Sequence, residues 1–251
     1  MLLPDMRKRV MDNSLFSAES PEELLSLLQK NNISHPPVEV GATKEQIERC
    51  VCFRFLSTYV NESRLTFPLK LVHADRPDFR LIMNSRTIGV ECTQALSEQF
   101  ARALSLRQQY CPDIWIDLSD FRWSCPDRTS EDILALLKKN RLTGEPWHGD
   151  TVDHEWALAM KACIDVKTDR LNAEGFLRYD DNWLLIDDDF IPQSIVDPEK
   201  SLSYLMPEIR KYFASECNSR AKFNEIAIRH REDLARVTQT TFDVKPINDL
   251  W

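Results

Sequence analysis

The 251-residue sequence predicts an α/β domain in which a mixed central sheet is flanked by helices. Strand-like runs rich in β-branched and alternating apolar residues occur between residues 64 and 96 and again after residue 181. Stretches with helical spacing of apolar residues and with capping residues alternate with these runs. A hydrophobic share of 43% and a charged share of 29% are typical of a globular protein, not of a disordered one.

The first 43 residues are predicted to form a helical appendage ahead of a main domain that spans residues 44–251. Ser20 as N-cap and Pro21 at the first helical position predict a helix that ends near Asn31. Paired prolines and a glycine then interrupt regular structure before residue 43. Within the main domain, residues 122–153 are predicted to form a loop-rich insertion that holds one helix.

The main domain is predicted to begin with a helix that runs from Thr43 to about Tyr59, because Thr43 and Gln46 have capping-box spacing. The elements predicted next are strands at 64–73, 77–83 and 86–96, a helix capped by Ser97, a strand at 113–121 and a helix at 130–139. The last elements are helices at 154–172 and 199–214 and strands at 182–190, 222–231 and 234–244. This order gives the mixed sheet.

Charge and composition exclude several classes of function. The net charge of −8 argues against a nonspecific coat on a polyanion, although it allows a local basic groove. The chain has no run of about eighteen apolar residues and has charges near its N-terminus, so we expect a cytoplasmic protein without a membrane partner. Seven cysteines without CxxC spacing fit reduced thiols, and five glycines leave no phosphate-binding loop.

Two carboxylates stand out on neighbouring predicted strands joined by a short hairpin. Asp78 follows a proline at the start of one strand, and Glu91 lies in the apolar run IGVECT of the next. A carboxylate in such a run needs a cation partner, either a basic side chain or a metal. If the outer ends of the strands lie side by side, the two carboxylates form an oxygen site suited to Mg²⁺ or Mn²⁺.

These residues lie in DRPDFRLIMNSRTIGVECTQAL, which resembles the core of the PD-(D/E)XK, or restriction-endonuclease-like, nucleases. Pro77 and Asp78 match the Pro-Asp pair of that motif, and Glu91 matches its second acidic residue. The predicted order from Thr43 onward also resembles the αβββαβ core of these enzymes. The resemblance covers residues 44–230 and implies a restriction-endonuclease-like fold.

The resemblance also implies a function. It predicts a metal-dependent nuclease that hydrolyses phosphodiester bonds, with DNA favoured over RNA as the nucleic-acid partner. Asp78, Glu91 and the backbone carbonyl of Cys92 would hold Mg²⁺ or Mn²⁺, which can orient a phosphodiester and activate water. A homodimer is common among enzymes that cut both strands.

One departure from the motif concerns the lysine expected two residues after the acid, where this chain has Thr93. Threonine can hold a water molecule but supplies no positive charge. The resemblance allows a lysine from elsewhere in the fold, and the candidates are Lys70, Lys161 and Lys167. At most one of Lys161 and Lys167 is expected to take part. An auxiliary glutamate from the preceding helix is expected at Glu48.

Two other interpretations stay open at the level of sequence. The substitution at Thr93 and the acidic net charge also fit an inactive nuclease-like domain that serves as a binding or regulatory module. In a metal-free structural protein, Asp78 would cap a turn and Glu91 would pair with Arg80 or Arg86. A basic surround of the two carboxylates would favour the nuclease.

Overall fold

The computed structural model describes residues 14–31, 33, 41–62, 64–84, 86–139, 146–188, 195–214, 220–248 and 250–251. Within these residues the protein has eight strands in one mixed sheet, six α-helices and one short 3-10 helix. The α/β class and the mixed sheet expected from the sequence are therefore present.

The elements follow one another along the chain as strands β1–β8 and helices α1–α6. The strands are β1 (Ser14–Ala18), β2 (Leu69–His73), β3 (Phe79–Met83), β4 (Arg86–Gln94), β5 (Asp181–Asp187), β6 (Glu225–His230), β7 (Asp233–Thr238) and β8 (Phe242–Pro246). The helices are α1 (Pro21–Lys30), α2 (Lys44–Asn61), α3 (Glu98–Tyr110), α4 (Ser130–Lys138), α5 (Thr151–Leu171) and α6 (Pro198–Ala214), with the 3-10 helix at Leu118–Phe121.

The strands lie in the sheet in the same order as in the sequence. Strands β1 to β4 form an antiparallel meander, β4, β5 and β6 are mutually parallel, and β6 to β8 are again antiparallel. A parallel pair requires a crossover connection. Helices α3, α4 and α5 lie in the connection from β4 to β5, and α6 lies in the connection from β5 to β6.

Strand alternation divides the core between the two faces of the sheet. Val90 and Cys92 of β4 pack into one apolar cluster with α1 and α2. Leu184 of β5 faces the other way and packs with α5 and α6. Glu91, between Val90 and Cys92, must therefore face the α5 side.

Several helix predictions are confirmed at their caps. The Ser20 side chain accepts a hydrogen bond from the Glu23 backbone N–H, and Thr43 and Gln46 form the expected capping box. Ser97 caps α3. Helix α5 begins three residues before the predicted start, at Thr151.

The strand predicted at residues 113–121 is wrong. This segment is irregular and ends in the 3-10 helix, because Asp117 accepts hydrogen bonds from the backbone N–H and the hydroxyl of Ser119. Trp115, within this segment, is 77% exposed. The strand that follows α3 in the sheet is β5, after two further helices. The predicted αβββαβ order is thus interrupted by α4 and α5.

Two further differences concern the ends of the sheet. The predicted strand at 234–244 is two strands, β7 and β8, joined by a turn in which Thr238 bonds to Thr241. Strand β1, which the sequence analysis missed, pairs with β2. The segment predicted as a helical appendage therefore supplies the edge strand of the sheet, and Leu24 and Leu28 of α1 are fully buried.

Candidate functional site

The register of β3 and β4 brings Asp78 opposite Glu91. Phe79 pairs with Val90, so one step further along the antiparallel ladder places Asp78 beside Glu91. Both carboxylates are buried, with exposures of 2% and 3%. The backbone N–H of Cys92 donates a hydrogen bond of 2.8 Å to Asp78 Oδ2, which fixes the Asp78 side chain against β4.

Gly89 permits the close approach that positions Asp78. A Cβ atom at Gly89 would lie 3.0 Å from Cγ of Pro77 and 2.8 Å from Oδ1 of Asn182. These distances are shorter than ordinary van der Waals contact, so a larger residue would displace Pro77. The Pro-Asp pair and the glycine two residues before Glu91 thus form one packed unit.

The cation partner of both carboxylates is Lys167 of α5. Its Nζ atom lies 2.6 Å from Glu91 Oε2 and 3.6 Å from Asp78 Oδ2, and the residue is only 5% exposed. Burial raises the pKa of Glu91, and the positive charge of Lys167 opposes that rise. One buried ammonium group therefore contacts two buried carboxylates.

The first turns of α2 complete the cluster from the other side. Lys44 Nζ lies 2.9 Å from Glu48 Oε1 and 3.5 Å from Asp78 Oδ1. Burial and the negative charge of Asp78 raise the pKa of Glu48 to about 7. His73 Nε2 lies 3.9 Å from Glu48 Oε2. Glu48, the auxiliary residue expected from the sequence, thus lies in the same cluster as Asp78.

A cavity of about 380 Å³ opens onto the Asp78–Glu91 pair. Apart from these two carboxylates, its charged lining consists of Lys44, Arg76, Arg170 and Asp75. Three cations and one anion therefore surround the pair, and Lys167 adds a fourth cation beneath it. The cavity lining outside the carboxylate pair is therefore basic although the chain is acidic, and one further carboxylate, Glu48, pairs with Lys44 beside it.

Thr93 lines a second cavity of about 410 Å³, which also contains Lys167 in its lining and shares Arg170 with the first. Its side chain is half-buried, and its hydroxyl lies 3.4 Å from the Gln94 carbonyl oxygen. Thr93 is therefore next to the carboxylate cluster rather than within its lining.

The other two candidate lysines lie away from the pair. Lys161 pairs with Asp165 on the same helix, and its side chain is 40% exposed. Lys70 pairs with Ile82, and it lies four residues along the chain from Ala74, whose backbone N–H bonds to the Asp78 carbonyl. At about 3.3 Å per residue this is a separation of roughly 13 Å along the strand. Of the three candidates, the structure brings Lys167 to the carboxylates.

The arginine pairing expected for a purely structural Glu91 is absent from the ion pairs of the described residues. Arg86 pairs instead with Asp181, and Glu91 pairs with Lys167. The acidic end of β5 is also paired, because Arg229 binds Asp187 and Asp188 contacts Trp156 and His230.

The carboxylate pair fits a small divalent cation in its donor chemistry. Mg²⁺ is commonly held by one or two carboxylates with water completing its shell, and Asp78 and Glu91 supply two opposed carboxylates at a cavity. In the part of the chain that the structure describes, no group of three or more His, Cys, Asp or Glu side chains is arranged to hold a metal. Any metal here would therefore depend on water or backbone oxygens for its remaining ligands.

Three residues of the site were missed in the sequence. Lys44 lies four residues before Glu48, and Arg170 lies three residues after Lys167, so helical spacing from a known site residue would have found both. Arg76 lies within two residues of Asp78. The sequence alone did not show which lysine of α5, Lys161 or Lys167, faces the sheet.

Comparison of the chain with protein-family models, with curated proteins and with solved structures finds no match. None of the helices that the structure describes is both long enough and apolar enough to cross a membrane.

Proposed function

We propose that this protein is a metal-dependent nuclease of the restriction-endonuclease-like class. The observation that carries the proposal is the buried Lys167 ammonium, which contacts Glu91 and Asp78, two carboxylates that line a cavity together with three cations. The resemblance requires two acids and one lysine, and a lysine from α5 supplies the charge that Thr93 lacks.

The cavity suits a phosphodiester because its cations can bind phosphate oxygens. Lys44 and Arg76 are largely exposed and lie at its rim, and Arg170 projects from α5. Such a rim attracts a polyanion locally despite the overall charge of −8. The same rim would hold the substrate backbone over the carboxylates.

Each residue then has a defined role. Asp78 and Glu91, with the Cys92 carbonyl, would hold Mg²⁺ or Mn²⁺, which supplies a polarised phosphate and a more acidic water when bound. The Cys92 N–H keeps Asp78 in place, and Lys167 stabilises negative charge that develops on the phosphate. Glu48, whose pKa is about 7, can accept or release a proton near neutral pH.

The finer assignments rest on the resemblance and on composition. We favour DNA over RNA as the substrate and a homodimer if both strands are cut. The cysteines without CxxC spacing fit a reducing compartment, and we place the enzyme in the cytoplasm.

A second function is favoured by the ion pair itself. Because the Lys167 ammonium already contacts both carboxylates, it can neutralise the site without a metal. The domain would then be an inactive nuclease relative that binds nucleic acid through the cationic rim.

Calorimetry of Mn²⁺ binding separates the two functions. The wild type, Asp78→Asn and Glu91→Gln are titrated with and without a DNA duplex, and Asp181→Asn serves as control because Asp181 pairs with Arg86 outside the cavity. We expect the two site variants to lose Mn²⁺ binding and DNA cleavage while the control keeps both. Absence of Mn²⁺ binding by the wild type, even with DNA, would reject the nuclease and leave the binding module.

A further inference from the structure

The second cavity adjoins the first at Arg170, which lines both. Lys167 is three residues before Arg170 on the same face of α5, lines the second cavity and contacts Glu91, which lines the first. A nucleic-acid backbone bound at the first cavity can therefore reach the second across Arg170. At about 410 Å³, the second cavity is within the size range of small-ligand sites.

The lining of the second cavity combines aromatic, apolar, amide and charged groups; its carboxylates are Glu98 and Asp127, and its cations are Arg122, Lys167 and Arg170. Trp123 and Val166 contribute the apolar surface, and Thr93 and Gln94 contribute polar atoms from the end of β4. Trp123 is half-buried and packs against the core cluster of the α5 side, so its position is fixed. Val166 is 50% exposed, an unusual apolar side chain next to a buried lysine.

Arg122 adds a cation at the edge of this cavity. Its guanidinium lies 4.3 Å above the Trp147 ring and donates a hydrogen bond to the Pro146 carbonyl, so the side chain is oriented. A planar, partly polar group bounded by phosphates matches this lining. Nucleobases have that chemistry, since they stack on aromatic side chains and offer hydrogen-bonding edges.

We propose that the second cavity binds the base of the nucleotide next to the scissile phosphate, with Trp123 as its stacking surface; this rests on the proposed nuclease function. A base inside a duplex stack cannot enter a protein cavity without leaving the stack. A substrate with an unpaired nucleotide at the cut, as in a single strand, an overhang or a flap, avoids the cost of unstacking and is therefore preferred over a continuous duplex.

The contribution of the base to binding affinity is measured on the full-length chain with two probes. Deoxyadenosine monophosphate and deoxyribose 5-phosphate differ only in the base, and their affinities are compared by calorimetry. We expect the base to strengthen binding by about 5-fold or more in the wild type, the gain typical of one stacked base. Trp123→Ala should abolish this gain without weakening deoxyribose 5-phosphate. Trp123→Phe should keep most of the gain.

Two further variants keep the test decisive if Trp123→Ala fails to fold. Val166→Glu places a carboxylate into the cavity from an exposed helix position and should also abolish the gain. Trp115→Ala removes an indole that is 77% exposed and outside the cavity lining, and it should leave the gain intact. Equal affinities of the two probes for the wild type, or a gain unchanged in Val166→Glu, would overturn the base site.

The outcomes separate this inference from the nuclease proposal. If no DNA is cleaved but the base gain is lost in Trp123→Ala, the base site stands and the nuclease fails. If duplex and single-stranded DNA are cleaved equally and the base adds nothing, the nuclease stands and the base site is rejected.

Discussion

Two buried carboxylate clusters lie on opposite faces of the sheet, and one of them, the Asp78–Glu91 pair, lines a cavity of about 380 Å³. Glu91 of β4 faces α5, whereas Glu225 of β6 faces α2 and contacts Tyr59. Both glutamates are almost fully buried, at 3% and 4% exposure. Burial raises the pKa of each, in the case of Glu225 to about 7. Burial of a charge therefore does not by itself distinguish a functional site.

The clusters differ in how completely their charge is offset. Glu225 accepts a hydrogen bond from the Tyr59 hydroxyl. Its Oε2 atom lies 2.6 Å from Nη2 of Arg64 and 3.5 Å from Nη1 of Arg236. Asp78 and Glu91, which line the first cavity, instead share Lys167 as their buried cation. The Glu225 carboxylate, which is surrounded by three donors, stabilises the fold. The Asp78–Glu91 pair has one buried cation and leaves room for a further cation.

The largest expected difference between the clusters is in catalysis. Glu91→Gln should lower the rate of DNA cleavage in Mn²⁺ by on the order of 10³-fold, because it removes a charged ligand of the metal that would polarise the phosphate. Glu225→Gln should change the rate per folded molecule by less than about twofold. The measurement is a cleavage assay at saturating substrate, with the folded fraction taken from circular dichroism. Equal losses in both variants would contradict the distinction.

Removal of Lys167, the cation that both carboxylates contact, should make the stability of the protein depend on Mn²⁺. Lys167→Met leaves two buried carboxylates without their ammonium, which costs about 3–5 kcal/mol of unfolding free energy. Mn²⁺ should restore part of this loss, because a bound cation replaces the missing charge. Urea unfolding with and without Mn²⁺ measures both effects. In Arg64→Met, which weakens the Glu225 cluster, Mn²⁺ should restore nothing.

The pH dependence of stability should come from both clusters. The pKa of Glu48 and that of Glu225 are each raised to about 7 from 4.5, so the folded state binds these protons more tightly than the unfolded state. The contribution of these two groups to the free energy of unfolding is therefore fully present below about pH 4.5 and is lost as pH rises through about 7, by at most about 3 kcal/mol for each group. Unfolding free energies at pH 5 and pH 8 should differ less in Glu48→Gln and Glu225→Gln than in the wild type.

Adding Mn²⁺ to the pH experiment distinguishes the Glu48 cluster from the Glu225 cluster. A cation bound beside Asp78 favours the ionised form of Glu48, whereas Glu225 is on the other face of the sheet. At pH 8, Mn²⁺ should therefore recover stability in Glu225→Gln to a greater extent than in Glu48→Gln. The same recovery in both variants would show that the metal acts elsewhere.

The smallest expected effect is at Lys161. Its ion pair with Asp165 is exposed on α5, and such pairs contribute at most about 0.5 kcal/mol. Lys161→Ala should leave both cleavage and unfolding free energy nearly unchanged, in contrast to Lys167→Met. A loss of cleavage in Lys161→Ala comparable to that in Lys167→Met would contradict the assignment of Lys167.

The sequence was sufficient wherever local chemistry decides the structure. Thr43 and Ser97 mark helix starts because their side chains cap backbone N–H groups within the next turn. The hairpin around Asn84 follows from two β-branched runs, and its register places Asp78 beside Glu91. These features depend on contacts between residues close together in the chain.

The sequence was insufficient where distant contacts decide. Residues 113–121 have strand-like alternation, but the side chain of Asp117 bonds locally and no neighbouring strand pairs with the segment. The choice of Lys167 over Lys161 and Lys70 depends on how α5 packs on β4. Strand β1 is five residues long and was missed because its pairing with β2 crosses two helices.

The separation of 76 residues between Glu91 and Lys167 has a consequence for the order of folding. The β2–β4 meander can form from contacts within about 25 residues, whereas the loop that brings α5 to it is much longer and closes at a greater entropic cost. A chain that has emerged only as far as α4 thus has both carboxylates but no ammonium between them. During synthesis the cluster of Asp78, Glu91 and Lys167 stays incomplete until α5 packs against the sheet.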